Sequence, residues 1–146
     1  MLFITLQPDN LKKLYFDYLK AICSLSKLFS NSEVPYLYYR VAENVFCKCF
    51  NADNLSRDDL AYDARKDNIG IGLKTFTEKG KYATEKIAEF NAFSKELRNL
   101  SNEELVLRLS DLRNARIEFA KRTYGIENSI YHCVARGKKV LKIFET

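Results

Sequence analysis

The sequence is poor in the residues that interrupt regular structure. It has no tryptophan, one histidine, two prolines and five glycines in 146 residues, so long helices and strands are expected. No apolar run approaches the roughly 18 residues of a membrane-spanning helix. Residues 1–7 also lack the basic start of a secretory signal. We therefore expect a cytoplasmic protein without a membrane segment.

The four cysteines match no familiar metal-binding pattern. Only one residue separates Cys47 from Cys49, whereas paired cysteine ligands of structural zinc sites usually leave two or more between them. A reducing compartment favours free thiols. Zinc held by these two residues with His132 and Cys133 is thus the lesser alternative to buried thiols. His132 as a general base is likewise the lesser alternative to a structural histidine on a strand.

What the sequence does contain is enough apolar residues for a core and a surplus of positive charge. Apolar residues make up 47% of the chain, and 24 Lys and Arg stand against 19 Asp and Glu, a net charge of +5. A basic surface favours polyanions such as nucleic acid, although a lysine-rich proteome would produce the same balance. We expect 1–146 to form a single domain.

The spacing of apolar residues predicts helices alternating with strand pairs. Helices are predicted over about 9–29, 36–50, 81–99 and 102–124, and strands over 60–65, 69–76, 129–135 and 139–144. Leu37, Val41 and Val45 form one apolar stripe of the second helix, widened by Tyr38, Ala42 and Cys49. A capping box at 101–104 begins the last helix. The predicted order α-α-β-β-α-α-β-β indicates an α/β fold, a small mixed sheet flanked by helices.

The first strand pair carries a suggestive set of side chains. Asp63 and Lys74 end successive strands across a tight turn at 66–68. Adjacent strands bring such side chains within a few ångströms of each other. Gly70 and Gly72 are consecutive positions on one face and leave it bare, so we expect something large to approach closely. An open cleft floor for a DNA backbone is the specific expectation.

The run 63–76, Asp-Ala-Arg-Lys-Asp-Asn-Ile-Gly-Ile-Gly-Leu-Lys-Thr-Phe, resembles the Asp…(Asp/Glu)-x-Lys signature of the PD-(D/E)xK nucleases. Its glycine-rich second half is similar to a branch of the type II restriction endonucleases. The resemblance implies a restriction-endonuclease-like core that hydrolyses double-stranded DNA with Mg²⁺ or Mn²⁺. It also implies that Asp63 is a metal ligand and Lys74 the catalytic lysine, which would activate water and stabilise charge on the phosphate.

The sequence departs from this signature at the second acidic position, which falls on Gly72. Some members of the group carry that carboxylate on the following helix, where this chain has Glu89, the implied second metal ligand. Glu43 resembles a glutamate that members often carry before the hairpin, in support of the metal or the lysine. If Asp63 and Lys74 converged while Glu89 pointed away, an inactive or incomplete enzyme would become the better interpretation.

Two surfaces are candidates for contacts with nucleic acid. The basic helix over 102–124 offers phosphate contacts from Arg113, Arg116 and Lys121. A tyrosine cluster at the start of the second predicted helix is expected, from its helical spacing, to be a half-buried packing face, with stacking on bases as the alternative. The cluster consists of Tyr36, Tyr38 and Tyr39.

The chain is short for a complete restriction enzyme, which needs further elements to read bases, often on a homodimer. We therefore keep the alternative of an N-terminal fragment, a catalytically inactive DNA-binding remnant of a longer enzyme. A third hypothesis is a mostly helical protein-interaction module in which 60–76 is a surface loop.

Overall fold

The computed structural model describes residues 2–56, 60–78 and 89–146. Its helices are α1 (Phe3–Leu6), α2 (Asp9–Leu25), α3 (Tyr39–Phe50), α4 (Ser94–Leu97) and α5 (Asn102–Tyr124). Its strands are β1 (Asp53–Asn54), β2 (Ala64–Lys66), β3 (Ile69–Thr77), β4 (Asn128–Gly137) and β5 (Val140–Glu145). The fold is therefore mixed α/β, as predicted, and the mostly helical alternative is wrong because β2 and β3 lie within 60–76. Within these ranges no helix has both the length and the apolarity to cross a membrane.

The strands form one mixed sheet in the order β1-β2-β3-β4-β5. Only β3 and β4 pair in parallel among the described strands, and the other neighbours are antiparallel. A parallel pair needs a long crossover, and α5 lies in that connection. The capping box is present, since Glu104 N–H donates to Ser101 Oγ and the Glu104 carboxylate accepts from Ser101 N–H. Gly125 ends α5 at φ 63, in the left-handed region that glycine adopts readily.

Successive side chains of a strand point to opposite faces, which gives this sheet two different coverings. The face toward α2 and α3, here the α3 face, carries Ala64, Ile71, Leu73, His132 and Val134. The face toward α5, here the α5 face, carries Gly70, Gly72, Lys74, Ser129 and Tyr131.

Aromatic rings close the α3 face. Phe46 and Phe50 of α3 pack on Tyr15 of α2, with ring centroids 5.9 and 5.0 Å from the tyrosine ring. Tyr15 Oη lies 3.0 Å from His132 Nε2, and His132 Nδ1 lies 2.7 Å from Glu145 Oε1. Both nitrogens of the fully buried histidine are thus engaged inside the core, so His132 cannot reach a substrate as a general base.

Two predicted elements differ from the structure. The helix expected over 81–99 falls partly on 79–88, outside the described residues, and Glu89 and Phe90 are not helical. A 3₁₀ turn and then α4 follow, because the Glu89 carbonyl accepts from Arg116 Nη1 at 3.3 Å instead of from its own helix. The predicted strand 60–65 is shorter, since regular pairing begins only at Ala64.

Candidate active site

A cavity of about 270 Å³ lies between the β2–β3 hairpin and α5. Asp63 and Lys74 both line it, so the structure brings together the two residues on which the nuclease resemblance rests. We call it the Asp63 cavity. Its other walls include Gly72, Arg113, Arg116 and Tyr131.

The local register of the hairpin places Asp63. Regular pairing ends where Ala64 lies opposite Ile71, and the Asp63 N–H donates to the carbonyl of the same Ile71 at 3.0 Å. Asp63 Oδ2 accepts from Leu73 N–H at 2.7 Å, which holds the carboxylate in one orientation. No donor in the described part of the chain reaches Oδ1. The carboxylate therefore has one oxygen tied to the sheet and one available for a ligand.

Lys74 is held in the same cavity by β3, level with Cys133 of β4. Its Nζ makes no hydrogen bond or ion pair with any residue the structure describes. Its charge nevertheless acts on its neighbours, because it opposes the rise in the pKa values of Asp63 and Cys133. A half-buried cation without an internal anion is suited to bind an external one.

Burial disfavours the charged form of both carboxylates at this site. Burial raises the pKa of Asp63, against the Leu73 N–H and the charges of Lys74 and Arg40. Glu43 of α3 is 3% exposed, and burial, followed by the charge of Asp63, raises its pKa. Arg40 Nη1 donates to Glu43 Oε2 at 3.2 Å and offsets only part of this. Two carboxylates that disfavour each other's charge are an arrangement that a bound cation would relieve.

The two glycines do not leave an open floor, so that expectation is wrong. A Cβ on Gly72 would lie 2.8 Å from the ring of Tyr131, and one on Gly70 would lie 2.8 Å from the ring of Tyr62. Arg113 Nη2 donates to Tyr131 Oη at 2.7 Å, which ties α5 to this ring. The glycines did signal a close approach, but tyrosines of the same chain make it. Nothing in the local sequence indicates which tyrosines they are.

Glu89 does not join Asp63. It is exposed, its Oε1 accepts from Asn91 Nδ2 at 2.9 Å, and it lines a different groove along α5. The expectation that it approaches the cavity is therefore wrong, because the chain at Glu89 is a loop rather than the helix on which the prediction placed it. Glu43 is not a wall of the cavity either, but it lies close enough to feel the charge of Asp63.

The basic residues of α5 divide between the cavity and the open surface. Arg113 and Arg116 line the Asp63 cavity, whereas Lys121 does not and pairs with Glu118 at 3.5 Å. The tyrosine cluster at the start of α3 is 43–54% exposed, and the rings of Tyr38 and Tyr39 lie 4.7 Å apart, which agrees with a half-buried packing face. Its alternative role in base stacking stays a prediction.

Near the cavity, the side chains suited to bind a hard cation are the carboxylates. Mg²⁺ is commonly held by one or two protein carboxylates together with water and substrate phosphate. Asp63 and Glu43 match that pattern. No group of three or more His, Cys, Asp or Glu is placed to share a metal ion in the ranges that the structure describes. The cysteines named as zinc ligands are free and buried.

Comparisons of the chain with protein-family models, with curated proteins and with solved structures found no match. Function is therefore argued from the Asp63 cavity and its residues. The cavity combines Asp63, Lys74 and two arginines, and among the described residues neither Asp63 Oδ1 nor the lysine has a hydrogen-bonding partner.

Proposed function

We propose that the chain binds the phosphodiester backbone of DNA in the Asp63 cavity and hydrolyses it with Mg²⁺. The observation that carries this proposal is the convergence of Asp63 and Lys74, eleven positions apart in sequence, on one cavity. Lys74 meets no anion within the described residues, and two arginines of α5 share its cavity. This charge distribution is complementary to a phosphate.

Each side chain has a role that follows from its position. Lys74, Arg113 and Arg116 bind the phosphate, and Tyr131 keeps Arg113 directed into the cavity through its hydroxyl. Asp63 and Glu43 would hold the metal ion. When bound, such an ion supplies a more acidic water and neutralises charge on the phosphate. Lys74 orients that water or stabilises the developing negative charge.

The position of Glu89 favours a second candidate. A nuclease site usually has a further carboxylate, and the residue expected to supply it lies outside the cavity. Asp63 and Lys74 converge while Glu89 points away, which is the arrangement expected for an inactive DNA-binding remnant of the same fold. The buried Glu43 beside Asp63 is what favours hydrolysis, because it provides a second carboxylate from α3.

A cleavage assay on supercoiled and linear duplex DNA separates the two candidates. We expect the protein to nick or cut DNA in the presence of Mg²⁺ or Mn²⁺. We expect no cleavage when EDTA removes the metal ion. Asp63→Asn and Lys74→Met should each lower cleavage by at least about 100-fold, since each removes a group that acts on the reacting phosphate. Asp17→Asn on α2 and Lys95→Met on α4 are matched controls, because both are exposed and lie outside the cavity.

Binding is measured separately, by fluorescence anisotropy at several salt concentrations. Each phosphate contact contributes about 0.9 to the slope of log K against log salt for duplex DNA. Arg113→Ala with Arg116→Ala should therefore lower the slope by roughly 2. Binding without cleavage would select the inactive remnant. Salt-independent binding, or none at low salt, would reject both candidates.

A further inference from the structure

A second groove of about 560 Å³ lies along α5. It shares Leu60, Phe90 and Arg116 as walls with the Asp63 cavity, so the two are adjacent. The groove also has Phe93 and Phe119 as walls, which are 39% and 58% exposed. Exposed phenylalanines grouped in one groove are informative, because contiguous exposed apolar surface often marks a binding site.

The rings of this groove are flanked by positive charge. The Arg116 guanidinium lies 5.6 Å from the centroid of Phe90, and that of Arg108 lies 5.8 Å from the centroid of Phe93. Arginines over aromatic rings, next to a basic cavity, are typical of surfaces on which unpaired bases stack. Ring faces accept any base, because every base has a π-face.

The polar residues of the groove indicate which part of a nucleotide it accepts. The Glu89 carboxylate stands on its wall and would repel a phosphate there. Asn91 Nδ2 donates to Glu89 Oε1 at 2.9 Å, so an amide and a carboxylate, the kinds of group that recognise base edges, lie on the groove wall. The phosphate therefore belongs in the Asp63 cavity and the base in the groove.

We propose that this phenylalanine groove binds unpaired bases of a single-stranded stretch adjoining the phosphate in the Asp63 cavity. The inference rests on the proposed function and narrows its substrate. The preferred ligand is a duplex with a single-stranded overhang or an unpaired region, and an intact blunt duplex binds less well. A base in the groove has left its stack, which costs less where it is already unpaired.

The test measures binding of a single-stranded oligonucleotide, an overhang duplex and a blunt duplex of equal length. Phe93→Ala and Phe119→Ala should each weaken binding of the first two by about 5- to 150-fold, the range expected for loss of one stacked base. Blunt-duplex affinity should change by less than about twofold. Phe29→Ala, 78% exposed and outside both cavities, is the matched control. A 2-aminopurine in the overhang should be quenched by the wild type and brighter with either groove variant.

The outcomes separate this inference from the proposed function. Groove variants that bind every DNA as the wild type does would overturn the inference, whatever Asp63→Asn and Lys74→Met do. Overhang binding lost in the groove variants, with no cleavage by the wild type, would support the groove and reject hydrolysis. Loss of binding in Tyr38→Ala or Tyr39→Ala instead would reassign stacking to the tyrosine cluster. If the groove variants bound DNA as the wild type does and differed only in oligomeric state by sedimentation, the inference would be overturned. The groove would then bind a second copy of the chain.

Discussion

The two faces of the sheet are covered in opposite ways. On the α3 face, α3 buries Phe46 and Phe50 almost completely against Tyr15, and the one histidine has both nitrogens engaged in the core. On the α5 face, α5 fully buries only Ala120 among its 23 residues. Val106 and Leu107 are more than 60% exposed there. One face is a closed core, and the other leaves a cavity and a groove.

This difference separates stability from binding within one small domain. Close packing of aromatic rings contributes stability but leaves no room for a ligand. The α5 face instead carries Asp63, whose charge is disfavoured by burial, and Lys74, which has no partner among the described residues. Such an arrangement lowers stability and is usually retained for function. The stably packed α3 face and the candidate binding surface on the α5 face are therefore opposite sides of the same strands.

The largest expected effect comes from the same truncation made on each face. Phe46→Ala on the α3 face should lower the free energy of unfolding by about 3–5 kcal/mol, because a fully buried ring leaves a cavity. Phe119→Ala on α5, where the ring is 58% exposed, should cost less than about 1 kcal/mol. Urea denaturation followed by circular dichroism measures both. Similar costs for the two variants would contradict the asymmetry of the faces.

A smaller effect is expected where a ring covers the α5 face. Gly72→Ala places a methyl 2.8 Å from the Tyr131 ring and should cost about 1–3 kcal/mol, because the ring must move. In a Tyr131→Ala background only the Ile130 carbonyl remains nearby, at 3.9 Å, so the same substitution should cost nearly nothing. A double-mutant cycle from urea denaturation measures the coupling. Additive costs would show that the ring does not rest on Gly72.

The smallest effect concerns thiol reactivity on the two faces. Burial raises the pKa of Cys47 to about 12, so almost no thiolate is present at pH 8, and iodoacetamide should alkylate it very slowly. Cys133 also has a raised pKa, but the charge of Lys74 opposes the effect of burial. We expect Cys133 to be labelled before Cys47, and Lys74→Met to slow the labelling of Cys133 while leaving that of Cys47 unchanged. The native protein is labelled for increasing times and then digested, and mass spectrometry of the peptides gives the order of labelling. Faster labelling of Cys47 would contradict the prediction.

The elements with strong local signals were predicted well. The capping box and Gly125 bounded α5 to the residue, and period-two alternation located β3 within one residue of its end. Asp63 and Lys74 could be placed together because a short hairpin has a local register. The buried side of α3 was predicted in part, since Leu37, Ala42 and Cys49 are buried. Val41 and Val45 are only half-buried, and Phe46 and Phe50 were missed, because apolar spacing cannot tell which side meets the sheet.

The sequence by itself determined the mixed α/β class, the hairpin that carries Asp63 and Lys74 and the basic character of α5, since each depends on neighbours a few residues apart. Tertiary structure decided the rest. It placed Tyr131 over Gly72 and buried Glu43 beside Asp63. It also put Glu89 in a groove rather than in the cavity. These contacts join segments far apart in the chain, and no local propensity or spacing specifies which distant side chain fills a given space.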